Sequence, residues 1–354
     1  MSDRDDIIID TATRLLEDLS TPAVVNDAET GTWPAELWDA LEEAGLTLAW
    51  VPDDLGGAGA EVADGFAVLR VAGRFAAPVP LAETLLAGFV MARAGLSAPQ
   101  GPMTVAPVTA GSRIELGSDG RLKGVARQVP FARVAGRLVV LASRRGEAVV
   151  AVVAAGDCSI SPGESYAGEP RDEVRFEGVV PEQIARAGQG FDTDMLIALG
   201  AAARCSQMAG ALQRILDQSV QYATERVQFG KPISKFQAIQ HSLAELAGEA
   251  AAAGAAAGMA ADAIGRGSGL DDQTVADIAA AKVRLGEAAT TGSAIAHQVH
   301  GAMGFTYEHT LHHSTRRLWS WRDEFGNEAY WATRLGRLIA KQGADELWPF
   351  ITAA

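Results

Sequence analysis

The chain has 354 residues, 48% of them hydrophobic and 21% charged, which is ordinary globular composition at a length that calls for two or three packed substructures. A formal charge of −14 argues against nucleic acid and anionic membrane surfaces as main partners, although a local arginine cluster can still hold an anionic ligand. Cys158 and Cys205 lie in apolar or Ala-rich contexts without metal spacing and read as buried, reduced thiols, and the acidic start of the chain lacks the basic region of a signal peptide, so a cytoplasmic protein is expected.

Residues 1–101 read as an N-terminal helical domain. Ile8, Ala12, Leu15, Leu16 and Leu19 recur at helical spacing, as do Leu37, Leu41, Leu46 and Leu48 around Trp38. Val51 to Gly59 is a turn-rich loop, followed by helical patterns over 61–75 and 81–94 with Pro78 and Pro80 between them. Residues 102–189 change character. Short Val-rich runs such as Leu138–Ala142 and Ala148–Ala154, cut by Gly, Asp and Pro, predict a small central β-barrel or sandwich.

Residues 190–354 return to helical periodicity, with helices expected near 192–224, 234–265, 272–302 and 327–342. Together these form a C-terminal four-helix bundle. Gly254 and Gly258 within the alanine tract of the second of these helices suggest a close helix crossing. The alanine-rich run 249–264 is too interrupted by Gly and Asp for a membrane span. The fold class is thus α+β, mostly α, in three parts.

Phosphate-loop, dinucleotide-fingerprint and nucleophile-elbow motifs are absent. All six histidines follow residue 240; the His297/His300 and His309/His313 pairs lack an evident third ligand, so no metal is expected. Two segments stand out instead. Tyr222 to Gln240 sets Arg226, Gln228, Phe229, Gly230 and Lys231 between two helices, and Gln298 to Phe305 is a Gly-punctuated helix end. A guanidinium can grip phosphate oxygens in a forked pair, and an amide can read a base edge, so an anionic, aromatic cofactor is expected. Arg226 also suits a plain helix C-terminus, where a cation complements the dipole.

The first segment resembles the signature of the acyl-CoA dehydrogenase flavoproteins, Tyr-x-x-x-Arg-x-x-Phe-Gly-x-x-(Ile/Leu) followed by Gln. The second resembles that family's Gln-x-x-Gly-(Gly/Ala)-x-Gly-Phe, and Leu48 to Gly59 resembles its Leu-Pro-Glu-Glu-(Tyr/Leu)-Gly-Gly-x-Gly. The resemblance is essentially full length, and the three-part layout fits it. It implies bound FAD, with Arg226 on the pyrophosphate, Phe229 and Gln237 along the adenosine, and Gln298, Gly301 and Ala302 reaching the same FAD from a neighbouring subunit. It also implies an acyl-CoA thioester substrate oxidised to the trans-2-enoyl-CoA, an electron-transfer flavoprotein as acceptor, and a homotetramer or a heterotetramer with a homologous chain.

The sequence departs from the family pattern in three places. The hydroxyl-rich run that opens the family's β-domain reads Ala106-Pro-Val-Thr-Ala-Gly111 here, leaving Thr109 as the flavin-facing hydroxyl. The Trp-(Ile/Val)-(Thr/Ser) contact is replaced by Gln128-Val-Pro-Phe131. The third departure is the base that takes the C2 proton. Many members carry a Glu just before a Gly downstream of the second motif, and that place falls on Phe325 followed by Gly326, with Glu324 one position early and Asp323 two. The family's other base position falls near Gly200–Ala201 and holds no carboxylate. Glu324 is therefore the candidate catalytic base, with a helix N-terminal charge as its plainer role. Trp319, Trp321 and Phe325 would bury it and lift its pKa, whereas Arg316, Arg317 and Arg322 would lower it. That basic cluster suits CoA phosphates, a subunit seam or a solvated helix face. The departures leave three readings open: an acyl-CoA dehydrogenase, a non-catalytic partner subunit completing the FAD site of a heteromer, and a related flavin enzyme of monooxygenation or desulfination.

Overall fold

The computed structural model describes residues 3–267 and 269–352. Five helices come first: α1 (Asp3–Leu19), α2 (Pro22–Glu29), α3 (Ala35–Glu43), α4 (Val62–Arg74) and α5 (Leu81–Arg93). Thr21 accepts from the Val24 amide to start α2, and Glu61 with Asp64 forms a capping box on α4. Leu46 and Leu48, expected to continue a helix, sit in a short 3-10 turn because Gly45 adopts φ 71° and ends α3.

Eight strands follow: β1 (Met103–Ala106), β2 (Ile114–Leu116), β3 (Leu122–Pro130), β4 (Arg137–Arg144), β5 (Glu147–Ala154), β6 (Ser159–Ser161), β7 (Arg171–Val179) and β8 (Gln183–Arg186). They form one mixed sheet in the order β6-β7-β3-β2-β4-β5-β8, with β1 pairing parallel to β4. Alternation along β4 explains how the sheet is buried twice. Leu138, Val140 and Ala142 face the sheet's own apolar cluster, while Val139 and Leu141 join the large helical core.

The remainder is α6 (Thr193–Glu225), a two-residue hairpin of β9 (Val227–Gln228) and β10 (Lys231–Pro232), then α7 (Gln237–Gly265), α8 (Asp272–His300), α9 (Leu311–Asp323), α10 (Glu328–Gln342) and α11 (Leu347–Thr352). Asp192, Asp271 and Asn327 cap α6, α8 and α10 by accepting from Met195, Thr274 and Tyr330 amides. The α9 helix was hidden in the sequence by its run of His, Arg and Ser. α6 is long and apolar enough to cross a membrane, but its apolar stretch is wholly buried inside the protein.

The close crossing expected at Gly254 and Gly258 lies elsewhere. A Cβ on Gly258 would meet nothing within 4 Å, and one on Gly254 only the end of the Arg70 side chain at 3.2 Å. The tight contact joins α4 to α6, where a Cβ on Gly73 would stand 2.0 Å from the Gln207 carbonyl and one on Gly210 1.9 Å from that of Arg70. The N-terminal helices and the bundle consequently share one apolar core. Both cysteines are free; Cys205 is buried as expected, but Cys158 is only half-buried.

Candidate active site

A cavity of about 630 Å³ opens between the sheet and the bundle. Val108, Thr109, Gln128 and Pro130 form its sheet side, Glu164, Ser165 and Tyr166 a loop side, and Asp323 to Asn327 with Tyr330 its helical side. A bulge in β3 between Ala126 and Val129, with Gln128 at φ 59°, turns this stretch toward the cavity. The Thr109 hydroxyl lies 2.8 Å from that of Ser112, and either can donate.

Of the candidate site residues, Thr109 and Glu324 line this cavity; Arg226, Phe229, Gln237, Gln298, Gly301 and Ala302 do not. Arg226 ends α6, is exposed, and makes no ion pair among the described residues. Phe229 and Gly230 form the hairpin turn with φ of 52° and 78°, which leaves the Phe229 ring 92% exposed. Gln237 opens α7, also exposed. Gln298 lies exposed in the last turn of α8, and Gly301, at φ 58°, ends that helix ahead of the exposed Ala302. The two signature segments meet inside one chain where Tyr222 stacks on His300, with ring centres 4.5 Å apart.

The connector between α9 and α10 decides the chemistry of the cavity. Glu324 is nearly buried, and both its oxygens are taken. Arg171 Nε donates to Oε1 at 2.7 Å, and Arg204 Nε donates to Oε2 at 2.8 Å. Burial alone would raise its pKa, but the two guanidiniums outweigh burial and hold the carboxylate below its ordinary range. The pairing extends outward. Arg204 also bonds Glu83 on α5, Arg171 bonds Glu169, and Glu169 bonds Arg317 on α9. Three carboxylates and three guanidiniums thus alternate through the core, tying α5, α6, α9 and the sheet together around the cavity wall.

The arginines expected to lower the Glu324 pKa are engaged elsewhere. Arg316 pairs with Glu29, Arg317 with Glu169 and Arg322 with Glu328. The ones that act, Arg171 and Arg204, come from β7 and α6, and nothing near residue 324 in the sequence announces them. Phe325 takes the opposite course. At φ 53° its buried ring packs over Gly200, and its carbonyl accepts from Trp331 Nε1 at 2.9 Å. Lys282 completes the connector's support by donating to the Trp321 and Arg322 carbonyls at 2.9 and 2.8 Å, capping the end of α9.

A helical N-terminal unit, a central sheet and a helical bundle surround this cavity, and comparison with known proteins identifies the arrangement. Residues 2–98 match the model for the acyl-CoA dehydrogenase N-terminal domain and residues 188–334 that for the C-terminal domain, so the chain belongs to the acyl-CoA dehydrogenase family. It is 27% identical over 319 residues to the acyl-CoA dehydrogenase IpdE2 of Mycolicibacterium smegmatis, covering 88% of this chain and 91% of that one. The fold superposes on a chain of the ChsE4–ChsE5 complex from Mycobacterium tuberculosis with TM-score 0.86 at 25% identity, over 97% of this chain and 99% of the other. A Tcur3481–Tcur3483 steroid acyl-CoA dehydrogenase gives TM-score 0.85 at 25% identity, over 96% and 98%.

FAD is the cofactor of this family, and the residues present fit it. The exposed guanidinium of Arg226 suits a diphosphate, the bare ring of Phe229 suits an aromatic face, and the exposed amides of Gln237 and Gln298 supply donors and acceptors.

Proposed function

We propose that this chain is the base-less subunit of a heteromeric, FAD-dependent acyl-CoA dehydrogenase. The observation that carries this reading is the fate of the two places where a base is expected: one falls near Gly200–Ala201, without a carboxylate, and the other is Phe325, whose ring fills the space above Gly200. The neighbouring carboxylate, Glu324, is occupied by two guanidiniums and poorly suited to accept a proton.

In this reading the assembled enzyme oxidises an acyl-CoA to the trans-2-enoyl-CoA and passes electrons to an electron-transfer flavoprotein. FAD, when bound, supplies the acceptor for the hydride leaving C3. This chain's part is to bind and orient. Arg226 holds the diphosphate, Phe229 and Gln237 lie along the adenosine, and Gln298, Gly301 and Ala302 complete the site across the subunit boundary. Thr109 and Gln128 shape the flavin side of the cavity, and the carboxylate that takes the C2 proton comes from the homologous chain. That ChsE4–ChsE5 is a complex of two chains supports the heteromeric arrangement. A cytoplasmic location belongs to the same proposal.

A second reading keeps Glu324 as the base of a homotetramer. It is favoured by the position of Glu324 on the cavity wall. Purification of the chain alone and together with a homologous chain separates the two readings: activity confined to the mixed complex supports the first, and an active homotetramer overturns it.

A further inference from the structure

We propose that Glu29, His312 and His313, none of which lines the cavity beside Glu324, form a binding site for a transition-metal dication of the Zn²⁺ class. One ligand atom from each of the three residues lies within 4.8 Å of the other two. The sequence concealed this group because Glu29 ends α2, far along the chain from the histidines that begin α9.

The hydrogen bonds fix what each residue offers. His312 Nδ1 lies 2.8 Å from the His309 carbonyl, so it carries the proton and leaves Nε2 as a bare lone pair. That Nε2 is buried and has no partner among the described residues. His313 Nε2 lies 2.8 Å from Asn26 Oδ1, an acceptor, so Nε2 is protonated and Nδ1 carries the lone pair. Glu29 Oε2 is taken by Arg316 Nη1 at 2.8 Å, while Oε1 is buried without a partner among the described residues. Glu29 Oε1 and His312 Nε2 are thus two neighbouring buried acceptors without a partner among the described residues, and a buried acceptor left unpaired is costly. A bound cation would satisfy both acceptors at once.

Two imidazoles and a carboxylate oxygen suit Zn²⁺ and its neighbours rather than Mg²⁺ or Ca²⁺. The arrangement also has the outer support that metal-binding histidines usually show, with one ring donating to a backbone carbonyl and the other to a side-chain carbonyl. The charge of Arg316 beside Glu29 opposes a dication, so the affinity expected is micromolar rather than nanomolar.

The test is calorimetric titration of untagged, chelator-treated protein with Zn²⁺ near neutral pH. The expected result is one saturable site per chain, weakened at least about tenfold in His312→Ala, His313→Ala and Glu29→Gln and unchanged in His241→Ala, whose histidine is exposed on α7. A wild-type protein with no saturable site overturns the proposal, and so does binding that all three variants retain. Should a variant fail to fold, the wild type still decides through Co²⁺. A visible d–d absorption that Zn²⁺ abolishes at one equivalent supports the site, and its absence removes it.

Discussion

Phe325 and Gly200 are complementary: a Cβ placed on Gly200 would stand 2.2 Å from Cδ1 of Phe325, so the ring occupies space that only glycine leaves open. Two positions remote in the sequence thereby become one apolar contact behind the cavity wall that Phe325 lines.

This contact predicts strong coupling. Gly200→Ala is expected to cost about 1–3 kcal/mol through overpacking, and Phe325→Ala about 3–5 kcal/mol through the cavity it leaves. In the double variant the alanine methyl has room, so the combined cost falls below the sum of the two. Urea unfolding of the four proteins measures the cycle, and additive costs would show that the ring moves aside freely.

Glu324→Gln leaves the buried Arg171 and Arg204 without their shared counter-charge and is expected to cost about 3–5 kcal/mol. Because the folded-state pKa of Glu324 lies below its unfolded value, its contribution is complete above about pH 4.5 and is lost as pH falls through the folded pKa. Wild-type stability should therefore drop more steeply in acid than that of the variant. Where the variant is folded in the mixed complex, turnover per flavin should stay within a few-fold of wild type, whereas loss of a true base costs about 10²–10⁴.

Lys282 is also shifted downward, but here the fold disfavours the charged form rather than favouring it. Burial lowers its pKa from 10.5 to about 8, with Cys205, Glu324 and Glu328 pulling it up and Arg204 pushing it down. Between those values the unfolded chain binds the extra proton, so stability rises with pH across that window, by about 3 kcal/mol at 1.36 kcal/mol per unit. Lys282→Met should lack this rise. Urea midpoints of both proteins from pH 8 to 10.5 measure it, and parallel curves would contradict it.

Arg226→Ala should reduce the flavin retained by the assembled complex after gel filtration, and Arg226→Lys should restore only part of it, since an ammonium cannot make the forked contact. Full retention in the alanine variant would remove Arg226 from the diphosphate.

Much of the architecture was legible because periodicity is a local property. Ala12, Leu15, Leu16 and Leu19 mark α1, and the Val runs mark β4 and β5. The α9 helix was not visible, since its buried face is built from His313, Ser314, Arg317 and Ser320 as much as from leucine. The connector could be located but not interpreted. Its chemistry depends on Arg171 and Arg204, which pairing across 153 and 120 residues brings to Glu324. Gly254 and Gly258 misled for a related reason: small residues permit a close crossing, but the partner surface decides whether one forms, and here α4 and α6 form it at Gly73 and Gly210.

The central claim is tested most directly by acyl-CoA-dependent bleaching of flavin absorbance, measured on this chain alone with added FAD and on the same chain co-expressed with a homologous chain that carries a glutamate at either base position. The account predicts bleaching only in the mixed complex, with Glu324→Gln in this chain leaving its rate nearly unchanged. Rapid bleaching by the chain alone, abolished by Glu324→Gln, would contradict it.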